Sequence, residues 1–211
     1  MKHLLTAFAL TLGLSGCATR WVVDSEVRSF SSLQAVPAGA TYRFERLPSQ
    51  QASEAQQQQL EEMAGPALER AGLRRDDANA QYTAQIGARV TAELSPWADP
   101  WYYQGGLWPG YYRNRPWGYG AGWYGRGWYG GGWYGPAFTP PANPWYAREV
   151  SVVLRELPSN RVVYETRARN DGPYNRSAAV LPVMFQAALQ GFPTPPAGER
   201  RVDIEIPTSR N

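Results

Sequence analysis

The sequence predicts an α+β domain of two layers, in which an antiparallel-rich sheet carries two helices on one face. Two patterns predict it: several short segments have apolar residues at every second position, and two longer segments have them at helical spacing. A third observation is a long Gly-, Trp- and Tyr-rich insertion between two predicted strands. The order strand, helix, long strand, insertion, hairpin, helix, strand fits one domain with its helices packed together on the sheet.

The elements before the insertion begin with an extended segment at residues 21–27 and a half-buried strand at residues 40–47. Residues 48–51 are interpreted as a linker. A helix is expected from Ser53, where Gln56 completes a capping box, and Gly72 is expected to end it. Residues 81–94 alternate over their whole length, which predicts the longest strand.

The elements after the insertion begin with a predicted hairpin, formed by residues 149–157 and 161–169 around a tight connection. A loop is expected at residues 171–173. The second helix is expected to hold Pro182 in its first turn and to end at Gly191. The last strand is predicted from the alternation of Val202, Ile204 and Ile206.

Residues 96–145 form the insertion, and eight of the nine tryptophans lie between Trp97 and Trp145. The tetrad Gly-Trp-Tyr-Gly occurs three times at a spacing of five, which matches neither a helix nor a strand period. The stretch fits a flexible low-complexity loop. It equally fits a contact surface, because Trp and Tyr suit membrane–water boundaries and stack on flat apolar faces such as those of sugars. The candidate contact residues are Trp123, Tyr124, Trp128, Tyr129, Trp133 and Tyr134.

The N-terminus has a composition of its own. A short basic start precedes an apolar run at residues 4–14, which is too short to span a bilayer. The run ends in Leu14-Ser15-Gly16-Cys17, which is similar to a lipobox, so residues 1–16 resemble a bacterial lipoprotein signal peptide. The resemblance implies acylation of Cys17 with chains such as palmitate, which would anchor the protein stably in a membrane. Because Ala18 follows the cysteine, similarity to proteobacterial lipoproteins implies the outer membrane, with the domain facing the periplasm.

The expected mature chain has few residue types that support catalysis. Cleavage before Cys17 would remove the only lysine, Lys2, and the only histidine, His3, and acylation would consume the only cysteine. Catalytic Ser–His–Asp or Cys–His groups, Schiff-base chemistry and His or Cys metal sites would then be excluded. We therefore expect no enzyme activity, no cofactor and no metal. The net charge of +3 is small and argues against a nucleic-acid partner.

Beyond the lipobox, three features resemble the DUF4136 family of bacterial lipoproteins. They are the strand Thr41-Tyr42-Arg43-Phe44 before a helix ending in Gly72, the hairpin containing Val162-Val163-Tyr164-Glu165, and the closing helix before Gly191-Phe192-Pro193. The resemblance covers most of residues 17–207 except the insertion. It implies one domain over residues 17–211 and an anchored envelope protein. The family carries no established activity, so the resemblance implies no catalytic residues.

Two functional hypotheses follow. The first is a lipid-anchored cell-envelope protein without enzymatic activity, structural or partner-binding, which contacts the membrane through its acyl chains and an envelope protein or glycan through the insertion. The alternative is a carboxylate-dependent cell-wall glycan hydrolase, which needs two facing carboxyl groups about 5–10 Å apart. The acids nearest the insertion in sequence are Asp99, Glu149, Glu165 and Asp171.

Overall fold

The structure is a computed structural model that describes residues 21–96 and 144–206. In these ranges the chain forms one mixed sheet and three helices. The elements are β1 Trp21–Ser31, β2 Thr41–Glu45, α1 Pro48–Gln51, α2 Glu54–Arg70, β3 Arg74–Arg75, β4 Tyr82–Leu94, β5 Pro144–Glu156, β6 Arg161–Gly172, α3 Ser177–Leu189 and β7 Glu199–Ile206.

The sheet has seven strands among the described residues, in the order β3-β2-β4-β5-β6-β1-β7. β2 runs parallel to both β3 and β4, and every other neighbouring pair is antiparallel. A parallel pair needs a crossover connection, which α1 and α2 supply between β2 and β4. The predicted α+β class, with an antiparallel-rich sheet, is therefore confirmed.

The hydrophobic core lies between the sheet and the helices α2 and α3, which pack on the same face and against each other. Alternate residues of adjacent strands meet there, as in the register Ile86 to Val152 to Thr166. The buried Thr166 hydroxyl donates a 2.9 Å hydrogen bond to the carbonyl of Ala188 in α3. The core thus joins strands by apolar packing and ties α3 to β6 by a satisfied polar group.

Two elements differ from the predictions near β2. The predicted linker at residues 48–51 is wrong, since these residues form α1. The Gln50 side chain accepts a 2.8 Å hydrogen bond from the Leu47 amide and donates one of 2.7 Å to the Ile86 carbonyl, so the turn is held from both sides. The short strand β3 was not predicted, because two residues show no periodicity and only their pairing with β2 defines them.

Several boundaries also differ from the sequence patterns. β6 continues to Gly172 because Tyr146 of β5 pairs with that residue, so the loop expected at residues 171–173 begins later. β5 begins at Pro144, one residue before the expected end of the insertion at residue 145. α3 begins at Ser177, so Pro182 lies in the helix interior and its expected place in the first turn is wrong.

Each predicted helix is followed by the expected glycine. Gly72 and Gly191 adopt left-handed conformations, with φ of 89° and 84°, which glycine takes without the steric penalty that a side chain imposes. Gly72 directly follows the helical cap residue Ala71 and ends α2. The chain leaves α3 one residue before Gly191, at the extended residue Gln190, and Gly191 lies in a turn closed by a 3.1 Å hydrogen bond from the Phe192 amide to the Leu189 carbonyl.

Candidate functional site

One end of the sheet, which we call the insertion end, collects several chain connections. The register places Leu94 of β4 opposite Pro144 of β5, and Trp21 of β1 opposite Ile206 of β7. β6 ends at the same level, since Gly172 lies opposite Tyr146. The segment that leads into Trp21 and both ends of the insertion are therefore attached at one end of the sheet.

The sheet opens at this end between β1 and β6. β1 pairs with β7 from Trp21 to Arg28, but it pairs with β6 only from Glu26 to Ser31. The first residues of β1 thus separate from β6, and Asn170 bridges the gap by donating a 2.7 Å hydrogen bond to the Asp24 carbonyl. The buried Ser25 hydroxyl has no hydrogen-bond partner among the described residues.

The opening holds a cavity of about 180 Å³, which we call the cleft. Successive residues of a strand point to opposite faces, and the lining includes residues from both faces of the sheet. The cleft is lined chiefly by Trp21, Asp24, Trp145, Arg148, Asn170, Asp171 and Tyr174. It therefore combines three aromatic side chains with carboxylate, amide and guanidinium groups.

Arg148 forms the buried polar wall of the cleft, with only 3% of its surface exposed. Its guanidinium donates to the Ser177 hydroxyl at 3.0 Å and to the Asn170 side-chain oxygen at 3.4 Å. It also donates to the backbone carbonyl of Tyr174 and lies 5.5 Å from the centre of the Tyr146 ring. These contacts hold Arg148 in one orientation and tie the chain after β6 to β5.

The sequence contains one signal for Arg148. Arg148 lies two residues before Val150 and therefore on the core side of the same alternation. A charged residue at an inward position needs hydrogen-bond partners. The predicted strand began at residue 149, so Arg148 fell outside it.

The aromatic walls of the cleft come from separate parts of the chain. The rings of Trp21 and Tyr174 lie 5.6 Å apart, centre to centre, at 58° to each other. Trp145, the last tryptophan of the predicted insertion, donates its indole hydrogen to the Asp171 carboxylate. Tyr174 is 60% exposed, so much of its surface remains available to a ligand.

Two of the acids considered for the hydrolase alternative are ion-paired with arginines of β6. Glu149 forms a 2.9 Å ion pair with Arg169, and Glu165 forms a 3.1 Å ion pair with Arg167. Of the three acids that the structure describes, only Asp171 lines the cleft, and Asp99 lies outside the described residues. Asp24, which the sequence did not single out, also lines the cleft and is ion-paired with Arg201 at 3.3 Å.

Cys17 and the six candidate contact residues also lie outside the described ranges, so their roles stay predictions. They are Trp123, Tyr124, Trp128, Tyr129, Trp133 and Tyr134. Within residues 21–96 and 144–206, no cluster of three or more His, Cys, Asp or Glu side chains could hold a metal ion. In the same ranges no helix has the length and apolar character needed to cross a membrane.

The fold defines an α+β domain whose mixed sheet is covered by helices on one face and opened by a cleft at one end. Residues 26–194 match the family model described as a domain of unknown function, DUF4136, and the chain belongs to this family. The resemblance noted in the sequence is thereby confirmed for the domain. No curated protein matches the chain.

Three solved structures are distantly similar in fold. The PelC dodecamer from Paraburkholderia phytofirmans is 12% identical, with a TM-score of 0.42 and coverage of 78% of this chain and 94% of that chain. A substituted PelC dodecamer from the same organism is 13% identical, with a TM-score of 0.40 and the same coverage. A PDZ domain protein from Parabacteroides distasonis is 12% identical, with a TM-score of 0.44 and coverage of 97% of this chain and 42% of that chain.

Proposed function

We propose that this protein is a lipid-anchored protein of the cell envelope, periplasm-facing on the outer membrane, which acts without catalysis through contacts made at the insertion end of its sheet. Its contacts would be the membrane, through acyl chains on Cys17, and an envelope protein or glycan, through the aromatic insertion. The proposal draws on the lipobox-like sequence together with the topology of the sheet.

The observation that carries the proposal is that the predicted anchor and the insertion meet at the same end of the sheet. Cys17 and Trp21 are four residues apart, so the chain between them spans at most about 14 Å. Three strand spacings separate β1 from β4, which adds about 14 Å along the sheet. An anchor at Cys17 would therefore hold Leu94 and Pro144 near the bilayer surface, where Trp and Tyr are favoured.

The surroundings of the acidic residues support a non-catalytic role. A glycan hydrolase needs one carboxyl group that stays protonated, which burial in an apolar pocket provides. Asp24 and Asp171, the two carboxylates that line the cleft, are both exposed. Replacing Asp171 by Asn tests the alternative directly. Glycan cleavage by the full chain that disappears in D171N would establish the hydrolase and refute the non-catalytic proposal.

Crosslinking in intact cells tests the contact role. A photoreactive amino acid at position 128 is expected to crosslink to envelope components. The matched control is position 30, where Phe30 is 57% exposed near the far end of β1. Equal crosslinking at the two positions, or none at position 128, would contradict the proposal.

Two variants separate the anchor from the contact surface. Cys17→Ala is expected to leave the membrane fraction, because the acyl chains can no longer be attached. Deleting residues 111–135 is expected to keep the protein in the membrane fraction but to reduce recovery of envelope components in pull-downs. An unchanged pull-down after the deletion would remove the insertion from the proposal.

A further inference from the structure

We propose that the cleft between β1 and β6 binds a single uncharged sugar ring. This inference deepens the proposed function, since it names a glycan as the ligand class at the insertion end. It concerns only described residues, namely Trp21, Trp145, Tyr174, Arg148, Asn170 and Asp171, and does not involve residues 97–143.

The aromatic walls match the apolar faces of a sugar. Pyranose rings present flat C–H surfaces, which pack on indole and phenol rings. The rings of Trp21 and Tyr174 meet at 58° rather than stacking in parallel, so they do not cover each other's faces. Tyr174 is 60% exposed, and Trp21 and Trp145 are only partly buried. The cleft thus offers aromatic surface from more than one direction.

The polar groups match the hydroxyl groups of a sugar. Each sugar hydroxyl can donate a hydrogen bond, and a carboxylate has several acceptor sites. Asp171 is exposed in the cleft, and its carboxylate has acceptor sites beyond the one that the Trp145 indole uses. The side chains of Arg148 and Asn170 already bond to protein groups, so they fix the shape of the cleft and leave the ligand contact to Asp171 and the aromatic rings.

Charge and size restrict the ligand further. Two carboxylates, Asp24 and Asp171, line the cleft with one guanidinium, and Arg201 lies 3.3 Å from Asp24. The cleft therefore has no surplus of positive charge, which disfavours a phosphate or another anion. Its volume of about 180 Å³ equals roughly six water molecules, which suits one ring rather than an extended oligosaccharide.

The test uses the full chain in a detergent that has no sugar headgroup. The probes are glucose, N-acetylglucosamine and inorganic phosphate. Sugar binding is measured by saturation-transfer NMR and calorimetric titration, and phosphate binding by calorimetric titration alone, because phosphate has no carbon-bound protons. We expect saturation transfer to at least one of the two sugars and no heat of binding from phosphate. Tyr174→Ala should weaken the binding about three- to tenfold, as expected for the loss of one aromatic face.

Phe30→Ala is the matched control, because Phe30 is 57% exposed and lies outside the cleft. It should leave the sugar affinity unchanged. Asp171→Asn is a second variant that keeps a side-chain oxygen for the Trp145 indole, and it should weaken binding without unfolding the sheet. Absence of sugar binding, binding of phosphate instead, or equal affinities in the wild type and both cleft variants would overturn the inference. Crosslinking in cells at position 128 does not depend on this result, so the two proposals can fail separately.

Discussion

The ion pair between Arg46 and Glu61 gives the sharpest prediction about stability. The two side chains form a bidentate contact, with Nε to Oε1 at 2.7 Å and Nη2 to Oε2 at 2.8 Å. Glu61 is only 3% exposed, whereas Arg46 is 26% exposed. The hydrogen bond to Glu61 raises the pKa of Arg46, so the guanidinium remains charged. Removing the Arg46 guanidinium would leave the buried Glu61 carboxylate without its main partner.

The size of the effect follows from this asymmetry. Breaking a fully buried pair costs about 3–5 kcal/mol. The partial exposure of Arg46 and a 3.5 Å contact from the Gln57 side chain to Glu61 reduce this figure. We expect Arg46→Met to lower the free energy of unfolding by about 2–3 kcal/mol. With a urea dependence of about 2 kcal/mol per molar, the unfolding midpoint should fall by about 1–1.5 M.

The assay is urea unfolding of the full chain, followed by circular dichroism, with a double-variant cycle. Arg46→Met combined with Glu61→Leu should recover most of the lost stability, because no buried charge remains. The control is Arg75→Met, since Arg75 and Asp77 form a 3.1 Å ion pair whose side chains are 51% and 61% exposed. It should cost less than about 1 kcal/mol. A double variant no more stable than Arg46→Met alone would refute the reasoning.

Three further predictions concern single features of the described fold. Burial raises the pKa of Tyr42 to about 12, whereas the tyrosine of the unfolded chain has a pKa of about 10. The contribution of Tyr42 to the free energy of unfolding should therefore be fully present below pH 10 and be lost between pH 10 and 12. Tyr42→Phe should reduce this loss, measured by urea unfolding at pH 9 and 11, and an unchanged loss in the variant would contradict the prediction. Ser25→Ala should raise the free energy of unfolding by about 1 kcal/mol in the same assay, because it removes a buried hydroxyl that has no hydrogen-bond partner among the described residues. A lower free energy of unfolding in the variant would show that the hydroxyl does have a hydrogen-bond partner. Deleting residues 111–135 should shift the thermal midpoint by less than about 4 °C, because β4 and β5 pair directly with each other as far as Leu94 and Pro144. A larger drop would mean that the deleted residues support the sheet.

The two longer helices, α2 and α3, and most strands could be predicted from the sequence because their signals are local. The alternation of residues 81–94 depends only on which face of β4 is buried, and Gly72 and Gly191 are needed wherever a helix ends in a left-handed residue. β3 and α1 were missed because contacts distant in sequence define them. β3 consists of two residues paired with β2, and Gln50 of α1 reaches the Ile86 carbonyl of β4.

The candidate site also has one part that the sequence predicted and one part that only the fold revealed. The lipobox-like sequence ending at Cys17 and the Gly-Trp-Tyr-Gly repeats are visible without any fold, because they depend on residue identity and spacing alone. The cleft is not visible in this way. It exists because β1 pairs with β7 from Trp21 onward but with β6 only from Glu26, and no local pattern records where two distant strands separate. Patterns along the chain specified the buried faces and the helix ends, whereas strand order and register decided that Trp21, Trp145 and Arg148 line one cleft.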